Sequence, residues 1–209
     1  SVGIQSLAGA RAVNKGKVIV GNSSSASAGI GILAESSTTN LTSVVNDSGA
    51  VIEMPYAGIG IYLDSLELGG SVTNAGTISS TQANALGIYA KMSSAGVLGA
   101  PITAITNTGS INLSDNGFGI FTDNSTITNS GNITVDNPGT NSIIAIYGGR
   151  NSIINNTGGN ISVGEGGIAF YGNNTAMTIS GGNFSTEGGT LIYAENNTNI
   201  TYTANGTDR

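Results

Sequence analysis

A short pattern of apolar and small residues recurs along the whole chain. Residues 58–62 read Gly-Ile-Gly-Ile-Tyr, and related segments return every 22 to 32 residues. Their central apolar positions are Ile4, Ile32, Ile61, Ile88, Ile120, Ile146, Phe170 and Ile192. A pattern that returns in one phase over a whole chain indicates a repeat architecture.

A second motif precedes each copy of the first. Residues 105–111 and 127–133 both read Ile-Thr-Asn-x-Gly-x-Ile, and residues 72–78 are similar. Each unit then contains three short segments rich in Ile, Val and Thr, separated by Gly, Asn and Asp. This composition favours strands divided by tight turns.

Three strands in each unit predict an all-β fold, a right-handed parallel β-helix with about three strands per coil and about 7–8 coils. An antiparallel β-sandwich is the alternative, but a sandwich does not repeat one motif in one phase. We expect residues 1–209 to form a single β-helix segment excised from a longer rod, because neither end carries a capping helix.

Composition excludes several functional classes. The chain lacks Cys and His, so it has no Ser-His-Asp triad, no cysteine nucleophile and no ordinary zinc site. Only 6 Lys and Arg against 12 Asp and Glu leave no basic footprint for nucleic acid. No apolar run reaches the length of a membrane-spanning helix. We expect no cofactor and no metal.

The two motifs resemble the passenger regions of large monomeric autotransporter adhesins of the type V pathway, and the Fusobacterium outer-membrane adhesins above all. The resemblance implies a passenger fragment at the bacterial cell surface or secreted from it. It implies adhesion to host-cell glycans or receptors, including immune-cell receptors, or to partner bacteria. Such passengers contact the membrane only through a C-terminal barrel, which this segment lacks. No shared set of binding residues carries over.

The repeat predicts a column of aromatic side chains. If Ile59 and Ile61 both face the core, then Gly60 and Tyr62 face outward. Stacked coils then align Tyr62, Tyr89, Phe121, Tyr147, Tyr171 and Tyr193, with Leu33 before them. A column of small residues is expected beside these rings, namely Gly31, Gly60, Gly87, Gly119, Ala145 and Ala169. This shelf suits sugar rings or a partner's apolar surface. The alternative is a purely structural ladder of stacked rings.

Two polar columns are also predicted. The acidic column is Asp115, Asp136, Glu165 and Glu187, which either binds calcium between coils or forms a solvated edge that opposes aggregation. The asparagine column is Asn14, Asn74, Asn107, Asn129 and Asn156, which we interpret as a structural ladder at one corner.

Uneven repeat lengths predict protruding loops near 53–57, 64–70 and 91–104. Loops on a rigid scaffold often carry recognition, and the candidate contacts in them are Tyr56, Leu66, Leu68, Met92 and Leu98. The alternative is that these loops cover a coil edge.

Three functions remain. The first is a non-enzymatic adhesive module, and the second is a passive spacer. The third is a polysaccharide lyase or hydrolase, which needs clustered carboxylates. Asp115, Asp123 and Asp136 form the only near cluster in the sequence, and the repeat phase puts Asp123 on a different edge from the others. We therefore predict that the chain is not an enzyme.

Overall fold

The computed structural model describes residues 1–37, 39–65, 69–82, 84–92, 103–114, 116–136 and 143–204. Within these ranges the chain forms twenty-one strands and no helix. The abundance of Ile, Val and Thr, and of Gly and Asn between them, accounts for this.

The strands form three faces, which we call sheets 1, 2 and 3. Sheet 1 contains β1 (Val2–Ser6), β4 (Gly29–Glu35), β7 (Gly58–Ser65), β10 (Ala85–Met92), β13 (Phe118–Asp123), β16 (Ile144–Gly149), β18 (Ile168–Asn173) and β20 (Thr190–Glu195). Sheet 2 contains β2 (Arg11–Asn14), β5 (Thr42–Asn46), β8 (Gly70–Asn74), β11 (Thr103–Asn107), β14 (Ser125–Asn129), β17 (Ile153–Val163), β19 (Ala176–Thr186) and β21 (Asn199–Tyr202). Sheet 3 contains β3 (Lys17–Ile19), β6 (Val51–Met54), β9 (Thr77–Ser80), β12 (Ser110–Ser114) and β15 (Asn132–Asp136). The second halves of β17 and β19 continue into sheet 3.

The fold is a right-handed parallel β-helix, as the sequence predicts. Each coil passes through sheets 1, 2 and 3 in turn, and the strands of each sheet pair in parallel with those of the next coil. Seven coils have strands on all three faces, and β20 and β21 add to an eighth. Parallel pairing within every sheet rules out the antiparallel sandwich.

The core is a set of stacked aliphatic columns. Ile32, Ile61 and Ile88 are partners across β4, β7 and β10, and Ile120 continues the same column. All four side chains are fully buried. The repeated isoleucines therefore lie directly over one another, which removes a continuous apolar strip from water.

One prediction about sheet 1 is wrong. Strict alternation put Ile59 in the core and Gly60 outside, but Gly60 is buried and Ile59 is partly exposed. A Cβ on Gly60 would meet the core side chain of Ile78 and would lie 2.6 Å from the carbonyl oxygen of Gly87. Two consecutive positions, 60 and 61, thus face the core, and the first must stay small. The predicted column of small residues lies inside the helix.

The loop predictions are only partly comparable with the structure. The segment predicted as a loop over 53–57 is shorter, because Glu53 and the fully buried Met54 belong to β6. Tyr56 lies in the short connection to β7 and is partly exposed. The ends of the predicted loops 64–70 and 91–104 are strand residues of β7, β8, β10 and β11. Outside the described residues lie Leu66, Leu68, Leu98 and the side chain of Met92.

Candidate binding face on sheet 1

The outer face of sheet 1, which we call the ring face, carries three parallel columns of side chains. The ring column is Leu33, Tyr62, Tyr89, Phe121, Tyr147, Tyr171 and Tyr193. The apolar column, three residues earlier in each strand, is Ile30, Ile59, Leu86, Phe118, Ile144 and Ile168. The rim column, two residues after each ring, is Glu35, Asp64, Lys91, Asp123, Gly149, Asn173 and Glu195.

The rings stack on one another along the helix axis. The ring centroids of Tyr62 and Tyr89 are 5.2 Å apart with planes 17° apart, and those of Phe121 and Tyr147 are 4.4 Å apart at 7°. The ladder continues through Tyr171 to Tyr193 at 5.0 and 5.1 Å. Because the faces of stacked rings pack against each other, the ring edges are the parts that are exposed to solvent. Where the rings stack, their faces are therefore covered by the neighbouring rings.

The stack changes direction at the middle of sheet 1. Tyr89 and Phe121 meet at 5.5 Å with their planes 74° apart, an edge-to-face contact. Phe118 packs edge-to-face on Phe121 at 5.4 Å and 90°, which joins the apolar column to the ring column.

Sequence reasoning missed the apolar column. Simple alternation puts Ile59 on the same face as Ile61, and so predicts that Ile59 lies in the core. None of the column belongs to the buried core cluster, and of its six members only Ile144 falls in the buried class, with 7% of its surface exposed. The signal in the sequence was the Gly or Ala that directly follows each member of the apolar column. A recurring small residue marks a position with no room for a larger side chain.

Charged groups border the rings along the rim column. The hydroxyl of Tyr62 donates to Oδ2 of Asp64 across 3.2 Å, and Lys91 Nζ lies 3.9 Å from the same oxygen. Burial, and then the charge of Asp64, raises the pKa of Tyr62 to about 12. On the next strand of sheet 1 after that of Lys91, the rim residue Asp123 is contacted by Arg150, with Nη2 of Arg150 and Oδ2 of Asp123 3.2 Å apart.

The phenols of Tyr171 and Tyr193 both interact with the rim carboxylate Glu195. A hydrogen bond to this carboxylate is the main reason that the pKa of Tyr171 rises to about 12, and it also raises the pKa of Tyr193. Burial, and then the charge of Asp123, raises the pKa of Tyr147. These phenols remain neutral hydrogen-bonding groups at ordinary pH.

Residues 1–159, about three quarters of the chain, match the family model of the BigA third pectate lyase-like domain. The chain belongs to this family. Membership places it among the β-helical domains of surface adhesins, in proteins that are exported or displayed at the cell surface. No curated protein and no solved structure matches the chain.

In this BigA-type domain the predicted acidic column is exposed. Asp136, Glu165 and Glu187 lie on the solvent side near sheet 3, and Asp115 falls outside the described residues. Among the residues that the structure describes, no three carboxylates converge on a point that could hold a metal ion. The calcium hypothesis therefore has no geometric support in this part of the domain.

The carboxylates considered for catalysis are separated in the BigA-type domain. Asp123 ends β13 on sheet 1, where Arg150 contacts it, whereas Asp136 ends β15 on sheet 3. This agrees with the different edges predicted from the repeat phase. The described ranges also contain no helix that is long and apolar enough to cross a membrane.

Proposed function

We propose that this BigA-type domain is a non-enzymatic segment of a bacterial surface adhesin, part of a β-helical stalk of an autotransporter passenger at the outer membrane, and that it binds its ligand through the ring face. The observation that carries this proposal is the pair of adjoining outward-facing apolar columns on sheet 1, most of whose members are partly exposed. A monomeric soluble surface rarely leaves such a continuous strip without a partner.

The geometry of the rings favours a protein surface as ligand. A sugar ring stacks on an open aromatic face, but the faces of Phe121 and Tyr147 are only 4.4 Å apart and cover each other. Ring edges, methyl groups and phenol hydroxyls remain outside, bordered by the rim charges. These groups suit an apolar patch on a host-cell receptor, an immune-cell receptor included, or on a surface protein of a partner bacterium.

The dimensions fit the same conclusion. Eight strands spaced about 4.8 Å apart, with about six residues of each at 3.3 Å, give a face on the order of 700 Å². A stable protein interface buries about 800 Å² on each partner. A single glycan would cover a small part of this area.

The non-enzymatic assignment rests on the placement of the carboxylates. Hydrolysis of a glycosidic bond needs two carboxyl groups facing one another across the bond. Asp123 and Asp136 lie on different sheets, and Arg150 contacts the first of them.

The proposal is tested by the adhesion of beads coated with the domain to host cells and to other bacteria. The double variant Tyr147→Ser/Tyr171→Ser should lose adhesion while circular dichroism and the melting transition show an intact fold. The matched control is Ile19→Ser/Leu41→Ser, which removes two apolar side chains that are 55% and 61% exposed and lie outside sheet 1.

Adhesion that survives the ring variant would reject the ring face as the binding surface. Absence of adhesion by the unaltered domain, with binding found elsewhere in the parent protein, would favour the passive spacer.

A further inference from the structure

We propose that the ring face docks a second copy of this chain, with the two β-helices antiparallel and related by a two-fold axis between β10 and β13. This inference rests on the proposed role of the ring face as a binding surface, and it adds a second copy of the chain as an occupant that competes with the receptor for this face. The axis lies parallel to the strands, above the ring face and over the boundary between β10 and β13. β10 of one copy then faces β13 of the other, and β7 faces β16.

The charges of the rim complement each other in this arrangement. Lys91 on β10 faces Asp123 on β13 of the second copy, and Asp64 on β7 faces the end of β16, where Arg150 follows. Within one chain, Asp64 already contacts Lys91 and Asp123 already contacts Arg150. Docking therefore closes a ring of four alternating charges, and the two-fold axis produces this ring twice. Both cations are available for it, with 46% and 77% of their side chains exposed.

The same axis matches apolar groups to apolar groups. Tyr62 faces Tyr147, and Tyr89 faces Phe121, at the point where the stack turns edge-to-face. In the neighbouring column Leu86 faces Phe118 of the second copy. Isologous contacts of this kind, in which each surface meets itself, are the commonest basis of soluble dimers.

Shifting the two copies by one coil removes the charge complementarity. A shift in one direction brings the Lys91 side chains of the two copies together and sets Asp64 of one copy against Asp123 of the other. A shift in the other direction brings the two Asp123 side chains together and sets Lys91 of one copy against Arg150 of the other. Like charges brought together at an interface cost free energy, so the rim selects the centred register.

A parallel arrangement is also disfavoured. It would turn the rim column of one copy onto the apolar column of the other, so that Lys91 would meet Leu86. Covering a charge with apolar groups, without a partner, is costly.

The face of roughly 700 Å² on each copy approaches the size of a standard interface of about 800 Å² per partner.

Sedimentation velocity on the 209-residue chain tests the proposal. The unaltered chain should form dimers that weaken with salt, because the rim pairs are exposed. Lys91→Glu and Asp123→Lys each replace two attractive contacts per dimer by two repulsive ones, and each should weaken dimerisation on the order of tenfold or more. An equimolar mixture of the two variants should restore the dimer, because the carboxylate introduced at position 91 of one variant then meets the ammonium group introduced at position 123 of the other.

The matched control is Lys17→Glu, which reverses a charge paired with Glu53 on sheet 3, away from the ring face. It should dimerise like the unaltered chain. A chain that stays monomeric up to about 0.1 mM, single variants that dimerise normally, or a mixture that gains nothing would overturn the proposal.

The two proposals fail separately. A monomeric chain that still adheres to cells through the ring face refutes the second copy and leaves the adhesin function intact. A chain that dimerises as expected but adheres to no cell refutes the receptor ligand and supports the second copy as the occupant.

Discussion

The side-chain amide of Asn74 donates a hydrogen bond to Oδ1 of Asn107 across 2.8 Å, one coil further along the axis. Both residues are fully buried at the corner between sheets 2 and 3. The same bond recurs at 2.7 to 2.9 Å in a ladder formed by Asn14, Asn46, Asn74, Asn107, Asn129 and Asn156. Asn156 ends the ladder by donating to the carbonyl oxygen of Gly181 across 2.6 Å. A buried amide needs such partners, so the corner is held by polar contacts inside an apolar helix.

Replacing Asn107 should destabilise the domain markedly. Asn107→Val removes the acceptor for Asn74 and the donor to Asn129, and it leaves the buried amide of Asn74 with only its long bond of 3.4 Å to the carbonyl oxygen of Ser110. We expect a loss of about 1–3 kcal/mol in the free energy of unfolding, measured by urea denaturation. The matched control Asn183→Ala, which breaks an exposed pair with Asn160, should stay within about 0.5 kcal/mol. Equal effects at both sites would contradict a structural role for the buried ladder.

The inward position of Gly60 predicts a steric penalty. Gly60→Ala puts a methyl group 2.6 Å from the carbonyl oxygen of Gly87 and against Ile78, so the coils must move apart. Overpacking of this kind costs about 1–3 kcal/mol, which urea denaturation would detect. Gly16→Ala is the control, because a Cβ there meets nothing within 4 Å. A neutral Gly60→Ala would mean that this position faces solvent after all.

Two isoleucines two residues apart should respond differently to the same change. Ile61 is fully buried in the core, whereas Ile59 is partly exposed on the ring face. Ile61→Ser should cost about 3–5 kcal/mol through the cavity and the buried hydroxyl. Ile59→Ser should cost under about 1.5 kcal/mol. Thermal or urea unfolding of the two variants compares them directly, and similar losses would refute the assignment of faces.

The phenols of the ring face predict a loss of stability in alkali. The pKa values of Tyr62 and Tyr171 in the folded domain are about 12, against an ordinary value of 10.0. Between these values the unfolded chain releases protons that the folded domain keeps, so the free energy of unfolding falls as pH rises from 10.0 to about 12. Below pH 10.0 the raised pKa values of these two tyrosines contribute their full amount to the free energy of unfolding. Urea denaturation at a series of pH values measures the fall, and Tyr62→Phe should reduce it.

A spectroscopic titration gives an independent check of the same prediction. Absorbance of the phenolate should show that Tyr62 and Tyr171 ionise about two pH units above the ordinary value of 10.0. A single transition near the ordinary value would contradict the contacts with Asp64 and Glu195.

Much of the asparagine ladder could be predicted, but Asn46 was missed. The other members on the sequence-predicted list precede a glycine at a spacing of two residues, as in Asn-x-Gly, whereas Asn46 is followed by Asp-Ser-Gly. In the structure Asn46 nevertheless accepts from Asn14 and donates to Asn74. The longer turn changes the local sequence and leaves the register of sheet 2 unchanged, because Asn46 and Asn74 are still cross-strand partners.

The sequence by itself determined the coil, its three strands and the columns of isoleucine, ring and asparagine side chains. It could do so because each coil of a parallel β-helix pairs in register with the next, so that recurrence along the chain becomes contact in space. Only the tertiary structure decided that Gly60 faces inward and Ile59 outward, that the rings stack except for the edge-to-face contact of Tyr89 with Phe121, and that Lys91 and Arg150 contact the rim carboxylates. These features depend on the space left by side chains of neighbouring coils, such as Ile78 beneath Gly60, and the alternation within one strand carries no information about that space.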